Sequence, residues 1–280
     1  MVYIHNIDPV LLHLGSLEIR YYGLVYILGL VLGYFIIRYL AKQKKLSLTD
    51  EDLVDFILYM GVGLLLGGRL FYTLVYNISY YLSNPLHIFA LWEGGMSFHG
   101  GMLGAIIAGY VYCKKKNVSF YKLADITMIP LAFGLMFGRI ANFINAELYG
   151  RLWHGPWADN FGVDFGDGFA RYPSQLFESF KNLVIFIILW FWNKDDVGIG
   201  EKDIITKHNI KHNKRPDGVI FWGFIMLYGL FRFFIEFYRQ PDSQVGVQGF
   251  FFGWMTMGQI LTIPMFLFGL GMVVWLYKQK

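Results

Sequence analysis

The sequence predicts an all-α polytopic membrane protein, a seven-span helical bundle with a small irregular extracytoplasmic head. Three observations carry that expectation. Of 280 residues, 56% are hydrophobic and only 16% are charged, against about 25% charged in an average soluble chain. Apolar runs recur at close to the roughly 20 residues that a bilayer crossing requires. The basic residues between those runs alternate without a break.

The runs fall at about 20–40, 53–74, 97–113, 123–142, 174–192, 218–237 and 257–277. The third is short and rich in glycine. The connecting segments 41–52, 114–122, 193–217 and 278–280 hold 3, 4, 6 and 2 Lys or Arg. Segments 1–19, 75–96, 143–173 and 238–256 hold 0, 0, 2 and 1. Basic loops stay in the cytoplasm, so the N-terminus is expected outside and the C-terminus in the cytoplasm. The N-terminus lacks the basic region, short apolar core and small-residue site of a cleaved signal peptide, so the first span is expected to direct insertion. Cys113 is the only cysteine. It excludes a disulfide within the chain and reads as a thiol at a span end.

Two outer segments are long and form the expected head. Segment 75–96 is aromatic and partly apolar, which suits a helix lying at the membrane interface. Segment 143–173 contains Trp153, Pro156, Trp157, Asp159, Asp164, Asp167 and Pro173, and turn residues break it into an irregular lobe. Segment 193–217 is rich in lysine and places His208 and His212 at helical spacing. It reads as a solvated basic loop facing anionic lipid, not as a metal site. Residues 1–280 are expected to form one integral membrane domain.

The expected topology brings polar residues to one depth. Tyr22, His99, Gln175 and Glu178 come early in spans that enter from outside. Arg69, Arg139, Asn142, Arg232 and Glu236 come late in spans that leave toward outside, and Arg239 follows. At a rise of 1.5 Å per residue, all lie within about 10 Å of the outer hydrocarbon boundary. Arg139 is the most informative. A guanidinium at mid-bilayer costs about 2.5–3.5 kcal/mol on insertion scales, so a chain retains one where an anion needs it. Arg20, Arg38 and Lys181 read as span-end cations whose stems snorkel to the headgroups. Arg69 stands open between snorkelling and a site role. Arg232 and Glu236, four residues apart, read as a pair that can neutralise itself. His99 precedes Gly100 and Gly101, and Gly100-xxx-Gly104 allows close approach of a helix or a ligand.

Together these segments resemble the prolipoprotein diacylglyceryl transferase family. The resemblance rests on Gly138-Arg139-Ile-Ala-Asn142-Phe-Ile-Asn145-Ala-Glu147-Leu-Tyr-Gly150. It extends to Arg20-Tyr21-Tyr22-Gly23, Ser97-Phe98-His99-Gly100-Gly101, Tyr172-Pro173-Ser174-Gln175-Leu-Phe-Glu178 and Glu236-Phe-Tyr-Arg239-Gln-Pro-Asp242. It implies a seven-span enzyme of the bacterial cytoplasmic membrane with no metal or cofactor. It implies transfer of a diacylglyceryl group from phosphatidylglycerol to the lipobox cysteine of a prolipoprotein signal peptide, releasing glycerol 1-phosphate. Membrane lipids are the other expected partners, and nucleic acid is not one.

The residues suit that chemistry. Negative charge builds on the phosphate as it leaves, and Arg matches phosphate geometry better than Lys. Arg139 is assigned to the lipid phosphate, and Arg239 to the same phosphate or the leaving group. Asn142 and Asn145 are assigned to headgroup oxygens, with Gly150 at the same lipid site. Glu147 would orient an Arg or accept from glycerol hydroxyls. A thiol of ordinary pKa near 8.5 needs deprotonation. His99 is the candidate base, with Tyr22 holding a partner, and Glu147 or the phosphate remains an alternative acceptor. Two other classes use the same arginines: a phospholipid-binding scaffold and a lipid transporter. A transporter needs polar groups at the bilayer midplane, and here polarity gathers at the outer ends.

Overall fold

A computed structural model describes residues 2–15, 17–194, 215–240, 250–251 and 255–279. The elements begin with strands β1 (Tyr3–Ile4), β2 (Val10–Leu14) and β3 (Leu17–Arg20), followed by helices α1 (Tyr21–Gln43) and α2 (Asp50–Phe71). A π-helical turn, Tyr72–Tyr76, prolongs α2. Next come α3 (Ile78–Ser83), 3-10 turns at Pro85–Phe89 and Leu91–Glu93, then α4 (Phe98–Lys116) and α5 (Phe120–Ile144). Helix α6 (Ala158–Phe161) and strand β4 (Val163–Asp164) precede α7 (Ser174–Lys194) and α8 (Val219–Ile235). Strands β5 (Phe250–Phe251) and β6 (Met255–Thr256) lead into α9 (Met257–Lys278).

The chain is a polytopic helical membrane protein. A long helix occupies every apolar run the sequence marks. Five of them are long and apolar enough to cross a membrane: α1, α2 with its π turn, α5, α7 and α9. Helix α8 is apolar and 17 residues long. Helix α4 ends on Lys114, Lys115 and Lys116.

Two compact units emerge, Ile37–Leu123 and Met1–Ile36 with Ala124–Lys280. In the unit 37–123, α2 packs on α4 through small residues. A side chain at Gly104 would run into the Gly63 carbonyl and the Gly67 Cα, so Gly100-xxx-Gly104 serves a neighbouring helix. Gly104→Val therefore forces α2 and α4 apart and costs about 1–3 kcal/mol. Thermal unfolding in detergent checks this, and an unchanged midpoint contradicts it. Helix α2 starts with a capping box in which Thr49 and Asp52 exchange hydrogen bonds. Asp50, Glu51 and Asp52 complement the dipole of that first turn. Arg38 pairs with Asp50 through two contacts of 2.6 Å, and Lys116 pairs with Asp52.

Arg69 is left open by the sequence. It is buried and does not snorkel. Its guanidinium donates to the carbonyls of His87 at 2.5 Å, Ile88 at 2.9 Å, Ala90 at 2.9 Å, Gly95 at 3.2 Å and Gly94. These carbonyls belong to segment 75–96, so Arg69 is the post on which that segment is folded. The expected interfacial helix is broken into α3 and two 3-10 turns, because Asn84-Pro85 interrupts it. Leu82, Leu86, Phe89 and Trp92 remain exposed on it.

In the other unit, α8 packs on both α7 and α9. Buried Asp125 caps α8 by accepting from Gly218 N at 2.9 Å and Phe221 N at 2.8 Å. That satisfies two of the donors a helix start leaves open. The lobe 143–173 is irregular, as its turn residues predict, but backbone pairing anchors it. Strand β1 runs parallel to β4, and β2 pairs antiparallel with β3. Arg171 bridges Leu152 and Val163, and Trp153 stacks on Tyr172 with centroids 4.4 Å apart. The Asp164 carboxylate accepts from Gly166 N at 2.8 Å and Gly168 N at 2.9 Å, which holds its carboxyl below the usual carboxylate range. His208, His212 and Asp242 lie outside the described residues.

Candidate functional site

The cluster is built on α7. Its first turns carry Ser174, Gln175, Glu178, Ser179, Lys181 and Asn182, all buried. A helix with that many buried polar residues needs partners from its neighbours. Glu178 has three. Its Oε1 meets Arg232 Nη1 at 2.5 Å, and its Oε2 meets Lys181 Nζ at 2.7 Å and Arg139 Nε at 3.9 Å. Arg232 also reaches Glu236 Oε2 at 2.7 Å. Glu236 Oε1 accepts from the hydroxyl of Thr256 at 3.2 Å, and Thr256 caps α9. Charge ties α5, α7 and α8 together here, and the Thr256 hydroxyl links the start of α9 through Glu236.

The spacing of the charges decides what the cluster can do. Arg139, Lys181 and Arg232 lie around Glu178, and Arg232 also meets Glu236. Arg139 is the least enclosed of the three cations. It keeps 22% of its side chain exposed, against 13% for Arg232 and 2% for Lys181 and Glu178. Its contacts among the described residues are long, 3.9 Å to Glu178 and 3.4 Å to Asn142 Oδ1. A guanidinium so loosely held can still form a two-pronged contact with an anion.

The residues that follow Arg139 form a connected chain. Asn142 Nδ2 donates to Glu147 Oε1 at 2.8 Å, and Asn145 Nδ2 reaches the same oxygen at 3.5 Å. Ala146 and Leu148 have φ of 53° and 56°, left-handed backbone that costs about 1–3 kcal/mol per residue unless its surroundings fix it. Helix α7 does so. Gln175 Nε2 donates to the Glu147 carbonyl at 2.9 Å and Ser174 Oγ to the Leu148 carbonyl at 3.3 Å. Tyr22 at the start of α1 lies within electrostatic reach of Glu147 and Arg139, and its hydroxyl contacts Tyr26 at 3.0 Å. The buried oxygens Asn145 Oδ1 and Gln175 Oε1 find no partner among the described residues.

Gly150 and Arg239 meet as a backbone bridge. Gly150 N donates to the Tyr172 carbonyl at 2.9 Å, and Arg151 N to the Tyr238 carbonyl at 2.9 Å. Arg151 Nε donates to the Arg239 carbonyl at 2.9 Å. A Cβ at Gly150 would collide with the Tyr172 and Tyr238 carbonyls, so this glycine lets three strands of backbone touch and places Arg239 beside them. Gly150→Ala is expected to loosen the junction by about 1–3 kcal/mol. Faster amide exchange at Gly150, Arg151 and Tyr172 reports it, and unchanged exchange contradicts it.

Tyr22, Arg139, Asn142, Asn145, Glu147, Gly150 and Arg239 all belong to one unit, with Arg139, Asn142, Asn145 and Glu147 linked by contacts and Gly150 and Arg239 by their own bridge. His99 belongs to the other. It sits exposed in the first turn of α4, with Ser97 as N-cap and its ring edge-on to Phe98 at 5.9 Å between centroids. Lys181 is a correction. It does not snorkel but is buried, paired with Glu178 and set 3.8 Å from the centre of the Tyr228 ring. The signal for it was present in sequence as Glu178 and Lys181 three residues apart. Arg232 and Glu236 do pair, but Glu178 draws Arg232 into the larger cluster.

A family model described as prolipoprotein diacylglyceryl transferase matches residues 9–275. The chain is 48% identical over 278 residues to the phosphatidylglycerol–prolipoprotein diacylglyceryl transferase of Geobacter sulfurreducens, covering 98% of this chain and 97% of that one. It is 40% identical over 276 residues to the protein of that name from Nitratidesulfovibrio vulgaris, covering 98% and 94%. A further one, from Francisella tularensis, is 42% identical over 268 residues, covering 94% and 91%.

Proposed function

The chain belongs to the prolipoprotein diacylglyceryl transferase family, and from that membership we propose how its residues carry out the transfer. The protein is a membrane transferase of the first step in lipoprotein maturation, acting on phosphatidylglycerol and a prolipoprotein. The acceptor is the lipobox cysteine of the signal peptide. Its sulfur attacks C3 of the diacylglyceryl group, a carbon–sulfur bond forms, and the C3–oxygen bond breaks. Glycerol 1-phosphate leaves with the bonding pair, and the thiol proton passes to a base.

One observation supports the roles best: Arg139 is the most exposed and most loosely held cation around Glu178. A lipid phosphate supplies the close anion that Arg139 does not have among the described residues. Arg139 grips that phosphate, and Arg239 meets it or the departing glycerol phosphate. Both stabilise charge that grows as the bond breaks. The unpartnered oxygens of Asn145 and Gln175 accept from the glycerol hydroxyls, Asn142 donates to a headgroup oxygen, and Glu147 orients both asparagines. His99 serves as base, and Tyr22 holds a partner of the reaction. His99→Ala then lowers kcat by about 10²–10⁴. An unchanged rate takes His99 out of the mechanism.

In this reading residues 1–280 form one integral domain of the bacterial cytoplasmic membrane that crosses the bilayer seven times. The basic segments face the cytoplasm, and the site opens to the outer leaflet. Incubating the purified chain with phosphatidylglycerol and a lipobox peptide tests the function. Glycerol phosphate release matched by a mass gain on the peptide cysteine is expected. Release without that gain contradicts it.

A further inference from the structure

The roles above leave Lys181 without one, although it is the most deeply buried cation of the cluster. Burying an ammonium in a span is costly. Glu178 does not require it, since Arg232 already meets that carboxylate at 2.5 Å. What Lys181 does is occupy Oε2, the oxygen that also faces Arg139. Its ammonium stands 2.7 Å from that oxygen, whereas Arg139 Nε stands 3.9 Å away. The Tyr228 ring, 3.8 Å from Nζ, holds the ammonium in place through the attraction of a cation for an aromatic face. Two cations compete for one oxygen, and Lys181 holds it.

We infer that Lys181 is a positioning residue that keeps Glu178 from closing on Arg139 and so leaves the Arg139 guanidinium open to the lipid phosphate. The inference rests on the phosphate role of Arg139. Without Lys181, Arg139 at 3.9 Å is the cation that faces Oε2 among the described residues, while Arg232 stays on Oε1 and Glu236. Arg139 would then be neutralised inside the protein, and the lipid would have to displace a carboxylate to bind.

The test is a double-mutant cycle. Lys181→Met keeps the length and apolar stem but removes the charge, and Lys181→Gln does so with a polar side chain. Both are expected to raise KM for phosphatidylglycerol about tenfold with kcat changed far less, the pattern of lost binding. Native mass spectrometry in nanodiscs should show the same loss of retained phosphatidylglycerol without turnover. Adding Glu178→Gln removes the competing charge while its amide oxygen still accepts from Arg232. The double variant should recover most of the lipid affinity lost in Lys181→Met. A residue that merely fills space predicts the reverse, with the second change adding to the damage. Unchanged KM and retention in Lys181→Met, or a double variant weaker than the single, overturns the inference. If the wild-type chain neither binds phosphatidylglycerol nor transfers from it, the functional reading itself falls. Wild-type turnover with an unaffected Lys181→Met overturns this inference alone.

Discussion

Arg139→Ala abolishes measurable transfer in a protein that still inserts and folds, with kcat falling by about 10²–10³ or more. The magnitude follows from the role proposed for the guanidinium. In that role it meets negative charge that grows as the phosphate departs. The fold survives because Arg139 holds little of it together. Its contacts within the protein are long, and Glu178 keeps Arg232 and Lys181 as close partners. Arg139→Lys is also expected to be poor, since a single ammonium cannot form the two-pronged contact. Coupled release of glycerol phosphate and modification of the lipobox peptide measures both variants. Normal turnover in Arg139→Ala would remove the phosphate role.

Glu178→Ala is the most damaging change to the fold. It leaves Lys181, with 2% of its side chain exposed, facing Arg232 with no carboxylate between them. Breaking a buried pair by removing one partner costs about 3–5 kcal/mol, because the remaining charge is uncompensated. A lower unfolding temperature and a lower folded yield in detergent are expected. Glu178→Gln, which keeps an acceptor for Arg232, is expected to lose less. Equal melting of Glu178→Ala and the parent chain would show that the cluster does not hold α5, α7 and α8 together.

The membrane architecture could be read from sequence because hydrocarbon imposes simple rules. A crossing needs length and apolarity, so each helix is written as a run, and the placement of Lys and Arg fixes the expected orientation. Arg139 stood out because a cation in such a run is costly, and Gly100-xxx-Gly104 because only small residues let helices touch. The partners of Arg69 were hidden. They are backbone carbonyls of residues 87–95, and any residue type presents a carbonyl. Lys181 was misread for a related reason. Snorkelling is the common fate of a lysine near a span end, and it outweighed the three-residue spacing to Glu178; only packing shows that Tyr228 lies against the pair. Gly150 carried a sequence signature but no visible cause. The structure supplies one, in the carbonyls of Tyr172 and Tyr238 that leave no room for a Cβ there.

A structure of the protein with phosphatidylglycerol bound in a nanodisc tests the central claim most directly. A phosphate oxygen should lie about 2.7–2.9 Å from the guanidinium nitrogens of Arg139, with Glu178 still held by Lys181 and Arg232. A headgroup seated elsewhere, with Arg139 closed on Glu178 instead, would contradict the account.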